Sequence, residues 1–109
     1  MLKEGDVVVC PFLGAQGIKR RTAVVISTSL FHAAGADVIV AEITTQLWKG
    51  SQPTSCLLQD WLAAGLRHPS AFRSYMGTVL KTHAQIIGHL SDRDWQEVKA
   101  RLRLALAVT

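Results

Sequence analysis

Short runs of apolar and β-branched residues recur through the first 90 positions, and this pattern predicts a mainly β domain. The clearest run, TAVVIS at 22–27, has an uninterrupted apolar centre, as expected of a central strand. Pro11 is expected to end the first strand, since proline cannot donate to a strand ladder. The two glycines of LGAQG, 13–17, predict a mobile loop. In chain order, the predicted strands are 6–10, 22–27, 37–45, 55–59, 70–77 and 85–90.

The last twenty residues change to helical spacing. Ser91 and Asp94 have the spacing of a capping box, in which each side chain accepts a bond from a free amide. Glu97 and Arg101 lie four positions apart, in the favourable order for an ion pair. Trp95 is expected to pack into the core. The apolar positions with helical spacing are Trp95, Val98, Leu102, Ala105 and Leu106.

A second, shorter helical element is predicted at 60–66 (DWLAAGL), a single turn that ends at Gly65 with Pro69 just beyond. Trp61 is expected to pack this element against the domain. Five or six short strands with turns between them favour a small barrel or a strongly bent sheet. The predicted fold class is therefore mainly β (α+β), with a short helix and a C-terminal amphipathic helix.

Composition narrows the picture. The 109 residues are expected to form one domain, 1–109. The chain is 49% hydrophobic and 18% charged, against about 25% charged residues in an average soluble domain. So few charges suggest that a partner, such as a second copy, covers apolar surface. The net charge of +4 favours anionic partners.

Two classes of protein are not expected. No run approaches the roughly 20 apolar residues of a membrane span, and the first residues lack the layout of a signal peptide. We therefore expect a cytoplasmic protein with no membrane partner.

Cys10 and Cys56 fit no metal or redox spacing, and both are predicted to be buried thiols.

The stretch KRRTAVVIS places Lys19, Arg20 and Arg21 directly before the central strand. Such a triplet is either a solvated basic loop or a grip for an anion. The residues alone leave both readings open.

The order of several motifs resembles the PemK/MazF family of toxin endoribonucleases. The motifs are GDVVVCPF, KRRTAVVIS, DVIVAEITTQ, DWLAAGLRHPSAFR and IIGHLSDRDWQEVKARLRLAL, and together they cover nearly the whole chain. The resemblance implies an SH3-like small barrel with appended helices. It also implies a homodimer that cleaves single-stranded RNA by transesterification, without a metal or other cofactor. A cognate antitoxin would silence it by laying an acidic segment across the same groove.

The resemblance also implies site residues. Arg21 matches the catalytic arginine of the family, and a guanidinium suits the developing charge on phosphate oxygens. Lys19 and Arg20 would then contact the neighbouring phosphates. Thr44, from the ITTQ motif, and Arg73 match two further catalytic positions.

Three further residues are candidates for RNA binding. Gln46 shares the face of Thr44 by strand parity and could bond a base edge. Trp48, expected in an exposed loop, could stack on a base. His83 is the histidine expected nearest to the groove. The other three histidines are expected at the surface or at strand edges: His32 in a surface loop, His68 beside a turn and His89 near a strand end.

The chain departs from the family pattern at three places. Thr22 replaces the usual proline, the loop after Phe12 is shorter, and no carboxylate follows Arg73 in Arg73-Ser74-Tyr75. Glu42 shares a face with Thr44 and could replace that carboxylate as general base. Equally, it could only orient Arg21 or Arg73.

The predicted function is therefore a toxin endoribonuclease. The alternatives are a catalytically impaired barrel that binds a protein partner or RNA, as in the related CcdB toxins that poison a protein, or a generic SH3-like RNA-binding module.

Overall fold

A computed structural model describes residues 1–14 and 17–108. Six strands and two helices follow one another in the chain. They are β1 (Asp6–Gly14), β2 (Gly17–Val25), α1 (Ser29–Ala34), β3 (Asp37–Thr44), β4 (Cys56–Leu57), β5 (Ala71–Leu80), β6 (Gln85–His89) and α2 (Asp92–Ala105). Two short 3₁₀ helices, Leu47–Ser51 and Lys81–His83, precede β4 and β6.

All six strands join in one antiparallel sheet with the order β4-β5-β3-β2-β1-β6. β1 also contacts β5, which is not its neighbour in this order. The sheet is therefore curled. The result is a half-barrel with two helices, so the predicted mainly β fold class is confirmed.

Two apolar clusters lie on opposite faces of the sheet. Val7 of β1 belongs to the larger cluster, whereas the adjacent Val8 belongs to the smaller one, as strand alternation requires. Cys56 and Cys10 are buried in these two clusters, as predicted. Burial raises the pKa of the Cys56 thiol to about 11, which keeps it protonated.

The prediction for the first strand was wrong at its end. β1 continues through Pro11 to Gly14. Its pairing with β6 stops at Val9, so Pro11 lies where that side of the strand has no neighbour and a missing N–H is tolerated. Of the predicted loop 13–17, three residues belong to β1 or β2, and Ala15 and Gln16 lie outside the described residues.

The basic triplet is also not a loop, because it lies inside β2. The predicted strand 55–59 is shorter than expected, with only Cys56–Leu57 in the ladder.

A short helix exists, but at another place than predicted. It is α1, which Thr28 caps by accepting a bond from the Phe31 amide. The segment 60–66 instead forms hydrogen-bonded turns that end at Gly65. Trp61 is half-buried and packs against the larger cluster.

The surface position predicted for His32 was wrong. His32 is buried on α1, and its Nε2 lies 2.6 Å from the Ser27 hydroxyl. Because Ser27 Oγ also accepts a bond from the Ile39 amide, this pair ties α1 to β3.

The C-terminal helix is confirmed as α2, with Trp95 half-buried against the larger cluster. The predicted Glu97–Arg101 ion pair forms at 2.8 Å. Ser91 caps the helix by accepting a bond from the Asp94 amide, as predicted. No helix within residues 1–14 and 17–108 is long and apolar enough to span a membrane.

The prediction that the Asp94 side chain caps the helix was wrong. The carboxylate is buried and accepts bonds from the Gln59 and Asp60 amides, at 2.9 and 2.8 Å. It therefore holds the 59–60 segment against α2, a contact that local spacing does not encode.

Candidate active site

The alternation of β2 separates the three basic residues. Lys19 and Arg21 line a groove of about 830 Å³ that runs over β2, β3 and β5. Arg20 lies on the other side of the strand and lines a different cavity of about 360 Å³.

Most of the predicted site residues come together in this groove. Those that line it are Lys19, Arg21, Glu42, Thr44, Gln46 and Arg73. They come from β2, β3, β5 and the residues just after β3. The placement of Glu42 and Thr44 on one face agrees with the strand parity that predicted it.

A bulge between β3 and β5 brings Glu42 and Arg73 together. Ala41 pairs with Met76 and Ile43 with Phe72, so Glu42 alone lies opposite the three residues 73–75. Such bulges redirect side chains. Here Arg73 Nη1 lies 3.5 Å from Glu42 Oε2, a long contact for an ion pair.

The aromatic ring of Tyr75 supports the Arg73 guanidinium from the other side. Arg73 Cζ lies 3.8 Å from the centroid of the ring, which is stacking distance for a cation on an aromatic face. Both residues line the groove. The guanidinium is thus held in place while most of its N–H donors remain free for another acceptor.

Arg21 has a donor without a partner. Its Nε atom is buried, and among the described residues it makes no hydrogen bond. Buried N–H groups in native proteins nearly always have an acceptor, so this donor is exceptional within the protein itself. A phosphate oxygen is the natural match for a guanidinium.

The Thr44 hydroxyl is oriented by its neighbour. Its Oγ1 accepts a bond from the Gln46 amide at 3.1 Å, which uses an oxygen lone pair. The O–H proton remains available for donation to a substrate oxygen.

Three predicted RNA-binding residues do not line the groove. Arg20 and His83 both line the 360 Å³ cavity instead. Trp48 is exposed on the 3₁₀ helix after β3, and Lys49 Nζ lies 5.4 Å from the centroid of its ring. Their roles in RNA binding stay predictions.

Among the residues that line the groove, sequence reasoning missed the cation of Lys49 and the aromatic ring of Tyr75. Strand parity with Arg73 was a usable signal for Tyr75, because both occupy β5 two positions apart. Lys49 had no comparable signal, since it follows the strand in a 3₁₀ helix.

The charge of the groove is strongly positive. Four cationic side chains (Lys19, Arg21, Lys49 and Arg73) line it, whereas Glu42 is its one carboxylate among the described residues. A concave surface of this sign concentrates anionic ligands. Across the described part of the chain, no group of three or more His, Cys, Asp or Glu residues is arranged to hold a metal ion.

The half-barrel with its two helices is the fold of toxins from type II toxin–antitoxin systems. A model of the PemK-like, MazF-like toxins of these systems matches residues 3–106. The chain belongs to this family. No curated protein matches it in sequence.

Solved structures of similar fold cover almost the whole chain. An endoribonuclease in complex with its cognate antitoxin, from a mycobacterial species, has a TM-score of 0.80 at 18% identity. The match covers 100% of this chain and 98% of the endoribonuclease chain. The Mycobacterium tuberculosis toxin MazF-mt6 has a TM-score of 0.76 at 18% identity, with 95% and 98% covered. MazF from Deinococcus radiodurans has a TM-score of 0.75 at 17% identity, with 98% and 97% covered. At such identities the likeness shows the fold alone.

Proposed function

We propose that the protein is an endoribonuclease that cleaves single-stranded RNA by transesterification, without a metal. The observation that carries this proposal is the unpartnered Arg21 Nε in a cationic groove that also holds Thr44 and the Arg73–Glu42 pair. Family membership supports the same activity, and one structural neighbour is an endoribonuclease.

The chemistry needs a base, and the groove offers one. Glu42 is the one carboxylate among the described residues that lines it, and its side chain is only 11% exposed. Its long contact with Arg73 leaves carboxylate lone pairs free to take the proton of a ribose 2′-hydroxyl. The 2′-oxygen then attacks the adjacent phosphorus, and the bond to the 5′-oxygen breaks. A 2′,3′-cyclic phosphate forms, and the departing 5′-oxygen takes a proton from water.

The remaining groups act on the phosphate. Negative charge grows on its non-bridging oxygens as the 2′-oxygen attacks, and donors placed in advance stabilise that charge. The Arg21 guanidinium provides a planar pair of donors, and the Thr44 hydroxyl provides one more. Arg73, held between Glu42 and Tyr75, binds the same phosphate or the next one.

We propose an antitoxin as the natural inhibitor. The mycobacterial neighbour is in complex with its cognate antitoxin. Because the groove of this chain is cationic, an acidic antitoxin segment would compete with RNA for the same donors.

We also propose a homodimer. Apolar side chains of β1, β2 and β5 surround a cavity of about 450 Å³, and Leu13, Ile18, Met76 and Leu80 are exposed there. A second copy would cover this surface with one two-fold interface. Light scattering at micromolar concentration should give twice the mass of the chain, and a monomer would contradict the proposal.

The decisive experiment incubates the purified protein with a long RNA, with and without EDTA, beside an Arg21→Ala control. Cleavage that survives the chelator and disappears in the variant supports the proposed function. Cleavage by both proteins indicates a contaminating nuclease. RNA binding without cleavage favours the impaired barrel, for which the missing carboxylate after Arg73 is the specific argument.

A further inference from the structure

A second cavity of about 480 Å³ opens beside the groove, and it was not expected from the sequence. The two cavities share four lining residues: Thr22, Ile43, Thr44 and Thr45. A nucleotide whose phosphate contacts Arg21 and Thr44 therefore lies next to the entrance of this cavity. Its volume falls in the range of about 300–1,000 Å³ typical of small-molecule sites.

The far wall of the cavity is the segment that leads from Gly65 into β5, and it is held firmly. Gly65 has a positive φ of 90°, and its Cα lies so close to β6 that a Cβ would overlap the Ile87 carbonyl. Leu66 is buried in the larger apolar cluster. Ser70 is buried as well, and its hydroxyl donates to the His68 carbonyl at 2.8 Å.

Between these anchors, Arg67 and His68 are exposed and line the cavity. The four ion pairs among the described residues involve other side chains, so Arg67 has no carboxylate partner there. A rigid wall thus presents an unpaired guanidinium and an imidazole to the space beside the proposed cleavage site.

These groups match a nucleobase. Arginine binds the O6 and N7 acceptors of guanine with two bonds, whereas adenine offers a donor at N6 that arginine cannot satisfy. Bases of single-stranded RNA are unstacked and can pack on histidine or arginine planes. Apolar walls from Val9 and Ile43 suit the faces of a purine.

We propose that this cavity binds the base adjacent to the cleaved phosphate and prefers guanine, with Arg67 as the residue that determines specificity and His68 as a residue on which the base stacks. The inference rests on the proposed function for its substrate, RNA, but its test does not require cleavage.

The test uses short oligouridines with 2′-O-methyl riboses, which lack the attacking hydroxyl and remain intact. One central position carries guanine, adenine, cytosine or uracil, and fluorescence anisotropy measures the dissociation constants. The wild type should bind the guanine oligonucleotide about 10-fold more tightly than the others. Arg67→Lys should lose that preference while it keeps most of the overall affinity, because lysine retains the charge but not the planar fork.

His68→Ala should weaken binding of all four oligonucleotides by a similar factor, through lost stacking. Arg103→Ala removes an exposed cation from the last turn of α2 and is the matched control, expected to leave the base preference unchanged. Thermal melts of each variant verify that it is folded.

Equal binding of the four oligonucleotides by the wild type, or a guanine preference retained in Arg67→Lys, would overturn the proposal. If the wild type cleaves RNA in the EDTA experiment yet shows no base preference here, only the proposal that this cavity binds guanine is refuted. A guanine preference without any cleavage would support the cavity and leave the catalytic proposal refuted.

Discussion

Two arginine–carboxylate pairs of this protein have different geometries. At the base of α2, Arg93 donates two bonds to Asp60, each 2.8 Å long, and Ser91 donates a third. In the groove, Arg73 makes a single contact with Glu42 at 3.5 Å. The first carboxylate is saturated with donors, whereas the second retains unused lone pairs.

We interpret the Arg93–Asp60 pair as structural and propose that the Arg73–Glu42 pair takes part in the reaction. The bonds from Arg93 and Ser91 lower the pKa of Asp60 to about 2, so this carboxylate stays ionised and inert at neutral pH. The groove pair is held loosely by a bulge and backed by a tyrosine ring. A guanidinium and a carboxylate in that state can each still engage a substrate.

The largest effect is expected at Arg21, the groove arginine that has no carboxylate partner among the described residues. Arg21→Ala should lower kcat by about 100- to 1,000-fold, the usual cost of removing one transition-state donor. Arg21→Lys should restore little of this loss, because an ammonium does not match two phosphate oxygens at once. Single-turnover cleavage of a defined RNA measures both. Full activity of the lysine variant would refute the two-bond contact.

Glu42→Gln tests whether Glu42, the carboxylate of the Arg73–Glu42 pair, acts as the general base. Since a general base typically contributes about 100-fold or more, the variant should lose that much in rate. It should also lose the fall in rate at acid pH that a general base gives the wild type. A pH–rate profile from pH 4 to about 9 shows both. A small loss with the acid limb intact would mean that Glu42 only positions Arg73.

Asp60→Asn tests how much the Arg93–Asp60 pair contributes to the free energy of unfolding. Because the folded pKa of Asp60 lies below its unfolded value of about 3.9, its contribution is fully present above pH 4 to 5. That contribution is lost as the pH falls through about 2. Urea unfolding measured from pH 6 to about 2 should give the variant a lower free energy of unfolding than the wild type at pH 6. At the acid end of the range the two free energies should be equal. A constant difference across this range would contradict the assignment.

The smallest effect is expected at Lys19, an exposed cation at the rim of the groove. Lys19→Ala should weaken RNA binding a few-fold and reduce the slope of log K against log salt by about 0.7, as expected for one contact to a single strand. Turnover should hardly change. Salt titrations of binding and a kcat measurement test this, and a loss of kcat as large as that of Arg21→Ala would place Lys19 in the chemistry.

Local patterns in the sequence were enough to predict the β class, the amphipathic α2 helix and the shared face of Glu42 and Thr44. They succeed because strand alternation, helical spacing and Ser91 capping act between neighbours in the chain. They failed at Pro11 and His32, where the surroundings decide the outcome: β1 has a free side at the proline, and Ser27 offers the histidine a buried partner.

Only the tertiary structure decided which distant residues meet. The register of β3 and β5 places Glu42 against Arg73, 31 positions away, and the bulge aims both at the groove. Close packing of Gly65 on β6 carries Arg67 and His68 to the cavity beside that groove. Such placements depend on long-range pairing and backbone contact, which no periodicity along the chain encodes.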